Sequence, residues 1–483
     1  LSLSNAINAA RSGLQISGLR ADMVATNISN AETPGYVRRS VMLSETMTGN
    51  NSAGVRSDGV TRSADAALTT QRMSAGSDAA QANLIASTWG SLSAMVGNTT
   101  DGAGLFNLLS NLESAFATAV ESPESAAGLN GIIDAASAII DEFRGLSQHV
   151  SAERMEADRE IAKGVDTINA ALKSIEMLNV KIASSDRSSG GAAALMDERQ
   201  RVVDTISEYL PVQSVDRPGG QIDIVTREGV FLLAGQAREI QFSPTPGFGP
   251  GDTITDGTLS GLSVEGLDLT PGSQSYSAVS SGLFGALFTL RDDDLPAFNA
   301  QLDTVASDLL ARLSADGVDP TLDPGDPGMI MDTNPGAGAG VAGRLTLNPI
   351  IDPQNGGELR HLRDGLGSTN AGPPGDNSIL SALFDAMAAT RSIGSGRLQG
   401  SFTASGLAAG FASVTGQMRL SSEAVQSSAA TQHSLLVESE RSETGVDVDE
   451  QMQQLLLIEQ AYAANARVIE TANQMLQRLM DMI

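Results

Sequence analysis

Two long apolar stripes at helical spacing, one at each end of the 483-residue chain, constrain its fold more than any other feature. Near the start, Leu3, Ile7, Ala10, Leu14, Ala21, Val24 and Ile28 follow a 4-3-4 alternation in which only Ser17 breaks the series. Near the end, Leu455, Ile458, Tyr462, Ile469, Ala472, Leu476, Leu479 and Ile483 keep 3-4 spacing, interrupted only by Asn465. This is the heptad pattern of helices packed along a seam, where a buried Asn costs stability but can fix register and partner number. Asp447, Asp449 and Glu450 precede the last stripe, where acidic groups meet the positive end of the helix dipole. At ~1.5 Å per residue the helix from Asp449 would be roughly 50 Å long. Two arrangements cover such stripes: the termini pair with each other and then with neighbouring copies, or they form an ordinary hairpin on a monomeric domain.

The first stripe stops abruptly in "ATNISNAETPGYVRRSV", residues 25–41. Pro34 disfavours helix at Thr33, Gly35 permits a sharp bend, and Tyr36-Val37-Arg38-Arg39 reads as extended chain. Asn27 and Asn30 can satisfy the last carbonyls of the helix or contact a neighbour.

Between the ends, 61–121 and 125–209 carry helical apolar faces, with the Gly190-Gly191 pair read as a loop. From Pro211 the pattern turns to period two, with turns at Pro218-Gly219-Gly220 and Glu228-Gly229, which predicts a small antiparallel meander. Residues 244–281 are rich in Gly, Ser and Thr, with short strand-like pieces. Helix returns at 282–314; 315–375 is a Pro/Gly-rich loop region around one strand, Arg344–Leu347; and helix resumes from Ile379 to about Glu443 with a Gly-rich interruption at 394–410. The expected architecture is therefore mainly α with β inserts (α+β), elongated and multi-domain. Its expected parts are a terminal coiled-coil unit with an extended arm (1–60 plus 441–483), a helical rod-like domain (61–210, 282–314 and 376–440), a meander region (211–281) and a short outer insertion (315–375).

Composition excludes several functions. The net charge of −27 and the lack of any basic run argue against nucleic-acid binding. With no cysteine, there is no disulfide, thiolate metal site or thiol nucleophile. No stretch of 18 apolar residues occurs, so no membrane insertion is expected, and the N-terminal residues lack the basic and apolar regions of a secretory signal. These features make a cytosolic chain the default expectation, one that an export machine reading no cleaved signal would overturn. Aromatic content of only 4% leaves burial to small aliphatic side chains, which suit close helix packing.

Searching for chemistry yields little. His149, His361 and His433 are far apart, and no metalloprotease, nucleophile-elbow or P-loop pattern occurs. "GAGVAG", Gly338–Gly343, matches G-x-G-x-x-G literally, but no strand is read before it and a strand rather than a helix follows, so flexible loop is the expectation. Asp316, Asp319, Asp323 and Asp326 are interrupted by prolines and miss the calcium-loop register, so an acidic turn is expected. Neither catalytic residue, cofactor nor metal site is expected.

Both ends together resemble the bacterial flagellar axial proteins, the rod, hook and hook-associated family. Thr26-Asn27-Ile28-Ser29-Asn30-Ala31-Glu32-Thr33-Pro34-Gly35-Tyr36 is similar to the family's "N-N-I-(A/S)-N-x-x-T-P-G-Y" turn. Gln460 to Leu476 is similar to its "Q-x-A-Y-x-A-N-A-x-V-I-x-T-A-x-x-M-L" helix. Arg38 fits the "G-Y-x-R-Q" continuation of hook-associated members, although Arg39 replaces the glutamine; "LMDERQRVV" and "TGVDVDEQ" also resemble segments of those members. The resemblance implies a structural subunit at the hook–filament junction, exported unfolded by the flagellar type III route. The implied partners are a homo-oligomeric ring, hook protein on one side, a second junction protein or the filament on the other, and an export chaperone on the C-terminal helix. Many members carry a sizeable outer β domain before the final helices; residues 315–375 leave little room for it, so it is expected to be reduced or missing here. Another axial protein of hook or distal rod, or a secreted enzyme or adhesin with flagellar-type ends, are the alternatives.

Overall fold

The computed structural model describes residues 3–48, 51–97, 104–185, 190–314 and 318–481. The chain starts with helix α1 (Leu3–Ser29) and a hairpin of β1 (Arg39–Thr48) and β2 (Asn51–Arg62). Four helices follow: α2 (Ala66–Val96), α3 (Leu105–Glu121), α4 (Ala126–Ser184) and α5 (Gly190–Tyr209). At 59 residues α4 is a spar roughly 90 Å long. Ser125 caps its start by accepting from the Gly128 amide, and Asp65 does the same for α2 through Ala67 and Leu68.

The period-two segment forms a four-stranded antiparallel sheet of β3 (Val212–Arg217), β4 (Gln221–Thr226), β5 (Phe231–Ala234) and β6 (Gln236–Ala237). Its turns lie where Pro218–Gly220 and Gly229 were read. Ile222, Ile224 and Thr226 of β4 alternate inward onto the helices. A second sheet joins β7 (Ile240–Gln241), β8 (Ser263–Val264) and β9 (Leu267–Asp268).

Next come α6 (Gly282–Thr289), a π-helical turn (Leu290–Asp294) and α7 (Leu295–Leu313). The outer region holds β10 (Ile330–Asp332) paired with β11 (Leu345–Leu347), and the short helix α8 (Arg360–Asp364). Helix α9 (Ser378–Ala388), the hairpin β12 (Arg391–Ser395)–β13 (Leu398–Phe402), α10 (Ala404–Thr444) and α11 (Val448–Met480) complete the chain.

Two local readings need correction. Gly190-Gly191 opens α5 instead of forming a loop. The segment after Tyr36 is extended as expected and continues into one strand of a hairpin. The interruption before α10 is the β12–β13 hairpin, and Gly406 and Gly410 lie inside the helix that follows. There Thr403 caps the helix through the Gly406 amide, a signal outweighed in the sequence by the density of glycine.

Two apolar cores share the α4 spar. One gathers Leu112, Phe116, Ile139, Phe143, Phe298 and Phe411 around the first half of α4. The other gathers Ile168, Ile175, Val203, Ile206, Ile224 and Phe288 around its second half. Between them lies a polar belt. Arg291, fully buried in the π turn, donates to Asp158 at 2.6 Å and lies over the Phe288 ring at 4.7 Å. Arg154 donates to the Arg291 carbonyl at 2.8 Å and to the carbonyls of Gly249, Pro250 and Asp252. Desolvation lowers the Arg154 pKa, with Arg291 pushing the same way and Asp292 and Asp252 opposing. The belt thus replaces water for a loop whose backbone has no strand partner.

Candidate assembly site

The turn after α1 is organised by Asn27, which is 1% exposed. Its Oδ1 accepts from the Tyr36 hydroxyl at 2.8 Å and the Arg39 amide at 3.1 Å. Its Nδ2 donates to the Arg39 carbonyl and to Gln451 Oε1 of α11, each at 2.9 Å. Asn27 therefore fastens the strand that follows instead of capping its own helix. Asn30 does the capping, donating to the Thr26 carbonyl at 2.9 Å, while its own carbonyl accepts from the Thr33 amide. Gly35 sits at φ +74° with Arg201 Cγ 3.1 Å from where a Cβ would be, so both conformation and space call for glycine.

The hairpin doubles back along α1, and the Val55 amide donates to Ser12 Oγ at 3.2 Å. Helix α11 runs antiparallel on another side. Gln451 meets Asn27, and the Asn465 amide lies against Gly13, its Nδ2 2.7 Å from the position of an added Cβ. Gly13 precedes Asn27, and Asn465 follows Gln451, by the same four or so helical turns. On this seam Ala10, Ser17 and Val24 face Ile458 and Ala472 as buried residues. Ser17, the break in the first stripe, is small enough to sit inside it.

The other seam residues divide by exposure. Leu3, Ile7, Leu14, Ala21, Ile28, Leu455, Asn465 and Ile469 are half-buried. Tyr462, Leu476 and Leu479 are exposed, and Ile483 lies outside the described residues. Of the turn motif, Asn30, Tyr36 and Arg38 are half-buried, and Thr33, Pro34 and Gly35 are exposed. Arg38 pairs with Glu450 at 3.0 Å and its amide donates to the Thr444 carbonyl, linking the turn to the start of α11 and the end of α10. The stripes are thus not wholly bare, because pairing inside the chain covers one face of α11. The outward face still shows Leu456 at 58% and Leu457 at 64% exposure.

Sequence reasoning missed Asp197. This buried carboxylate of α5 accepts from Arg39 at 2.6 Å and from Arg62 at 2.7 Å. Arg39 also lies over the Tyr36 ring at 4.7 Å, so the residue that departs from the family pattern has its own partners. Burial raises the Tyr36 pKa and Asp197 adds to the rise, while Arg39 opposes it. Arg199 is buried as well, donating to Asn179 and the Gly220 carbonyl; desolvation first, then Arg62, lower its pKa to about 10. The only sequence signal for Asp197 was its place in "LMDERQRVV". Gln451 carried a plainer one, since it stands one heptad before Ile458.

The other motifs resolve without chemistry. β10 does precede "GAGVAG", contrary to the reading, but the motif runs into a short 3-10 turn (Ala342–Arg344) and then β11. Instead of being flexible, the loop wraps an internal anion, with the Gly340 and Ala342 amides donating to Asp303 at 2.6 and 2.9 Å. Burial raises the Asp303 pKa against those two hydrogen bonds. Asp319 accepts from the Thr321 and Leu366 amides, Asp326 accepts from the Asp323 amide, and Asp316 lies outside the described residues. Among the described residues, no group of three or more His, Asp or Glu side chains could hold a metal, and no helix is long and apolar enough to cross a membrane.

Residues 90–323 match the family model described as the flagellar hook-associated protein FlgK helical domain. Residues 442–482, spanning the turn into α11 and the helix itself, match the C-terminal model of the flagellar basal body rod FlgEFG proteins. Both matches support identifying the chain with the flagellar hook-associated proteins, to which it is similar. This family is structural and not enzymatic.

Flagellar hook-associated protein 1 of Escherichia coli (strain K12) is 23% identical, in a match covering 99% of this chain and all of that protein. The Salmonella typhimurium protein of the same name is 24% identical over 61% of this chain and 53% of its own length. The flagellar hook junction protein of Burkholderia pseudomallei aligns with 55% of this chain and 46% of its own, at a TM-score of 0.44 and 20% identity. The fold of the chain itself is mainly α with small antiparallel β inserts.

Proposed function

We propose that copies of this chain close into a ring joining flagellar hook to filament, and that the outward face of α11 is the surface through which they meet. The carrying observation is that α11 is apolar on two faces. Ile458 is 4% exposed against α1, whereas its neighbour Leu457 is 64% exposed. A helix with two apolar faces needs two neighbours, and α1 supplies only one. The protein works outside the cell as part of the flagellum, with hook protein on one side and a second junction protein or the filament on the other. Before assembly the same face suits an export chaperone, and a cysteine-free chain is compatible with unfolded passage along the flagellar route.

Leu457→Asp in the full chain tests the reading. Its helicity and melting should match the parent, because the side chain touches no core, while filament attachment in motile cells should be lost. Attachment at the parental level would overturn the role given to this face.

A further inference from the structure

The terminal unit, made of α1, the β1–β2 hairpin and α11, shares no apolar core with the rest of the chain. Among the described residues, neither core includes anything before Met73 or beyond Met418. The buried apolar residues of the terminal unit, Ala10, Met23, Val24, Ile458 and Ala472, belong only to it. Polar groups carry the connection to the body. Chief among them is Asp197, 5% exposed, with one oxygen on Arg39 and the other on Arg62. Those two arginines are paired across the first rung of the hairpin. One carboxylate of α5 therefore grips both strands of the hairpin at its base. The hairpin in turn is tied to α1 at both ends, through Asn27 to the Arg39 peptide and through Ser12 to the Val55 amide.

Apolar contact is non-directional, whereas a charge-assisted pair of this kind fixes distance and angle. Buried ion pairs add little net stability, and geometric specification is their best-attested use. The geometry points to Asp197 as the positioning residue for assembly: it sets the angle at which the terminal helix pair leaves the body, and so where the outward face of α11 meets a neighbour. This rests on the assembly reading given above.

The cysteine-free chain makes the angle measurable. Cysteines replacing exposed Arg20 on α1 and Met177 on α4 carry spin labels, and pulsed electron paramagnetic resonance reads the distance between them in the isolated protein. The parent should give one narrow distribution. Asp197→Asn should at least double its width with helicity unchanged, and Asp197→Glu should restore much of the narrowness. If Asp197→Asn fails to fold, Arg39→Gln and Arg62→Gln carry the test, since each removes one grip and leaves the carboxylate a partner. Narrow distributions in these variants overturn the proposal. So does a broadened variant that attaches filaments at parental frequency. The two readings fail separately: parental attachment by Leu457→Asp sinks the assembly face, and the distance measurement, made without assembly, does not depend on it.

Discussion

Asn27 and Gln451 meet side chain to side chain, Nδ2 to Oε1 at 2.9 Å, although 424 positions separate them in the chain. Each is 1% exposed. The Asn27 amide has two donors and two acceptor sites, and all four are used, by Tyr36, by both sides of the Arg39 peptide and by Gln451. One side chain thereby sets the exit of the chain from the first helix and the register of the last.

Asn27→Ala should uncouple these. It leaves the Arg39 amide and carbonyl, the Tyr36 hydroxyl and Gln451 without this partner in a site closed to water. A cost of about 2 kcal/mol to the local structure is expected, roughly thirtyfold in the protection of the Arg39 amide. Native-state hydrogen exchange measures it, and amides within α4 should keep their parental rates.

A second prediction concerns the close approach of Gly13 and Asn465. Gly13→Ala puts a methyl 2.7 Å from Asn465 Nδ2, so the amide must swing out of the seam and the α1–α11 pairing weakens. Asn465→Ala alone costs little, and in the Gly13→Ala background it should restore most of the lost α1–α11 pairing. A double-mutant cycle read by exchange of α11 amides should show coupling of about 1 kcal/mol. Strict additivity would mean that the two residues do not touch.

Acid should loosen the outer β10–β11 pair before the helical body. Burial alone would raise the Asp332 pKa. Two hydrogen bonds from Arg344, each 3.0 Å, the Asn334 amide and the guanidinium charge outweigh that and hold it below its ordinary value. A depressed carboxyl contributes stability that is present above the unfolded value of ~3.9 and lost as pH falls through the folded value. The amide of Thr333, which donates to the Arg344 carbonyl at 3.1 Å, reports on the pair. Its protection should fall below about pH 4 in the parent, and Arg344→Met should weaken that pH dependence, since only the Asn334 amide then still favours the carboxylate.

Much of the fold was legible because its signals are local. The α1 and α11 stripes, the period-two run of β3 and β4, and the acidic start of α11, where Asp447 caps the Asp449 and Glu450 amides, follow from spacing and chemistry within a few residues. The misreadings arose where a cap or a distant partner overrides local composition. Glycines that look like loop run on helically in α10 once Thr403 has capped it. The Gly338–Gly343 loop looks free until Asp303, on α7, is seen to hold its amides.

By itself the sequence determined that both chain ends are amphipathic helices, that a sharp bend follows the first, and which motifs align the chain with the flagellar family. These properties depend on periodicity and on residue types at fixed short offsets. Only the tertiary structure decided which face of α11 is spent on α1 and which remains outward, and that Asp197 joins Arg39 to Arg62. A carboxylate can pair with any of many guanidinium groups in an extended chain. The packing of α5 beside the base of the hairpin brings these three together, and no pattern along the chain encodes that distance.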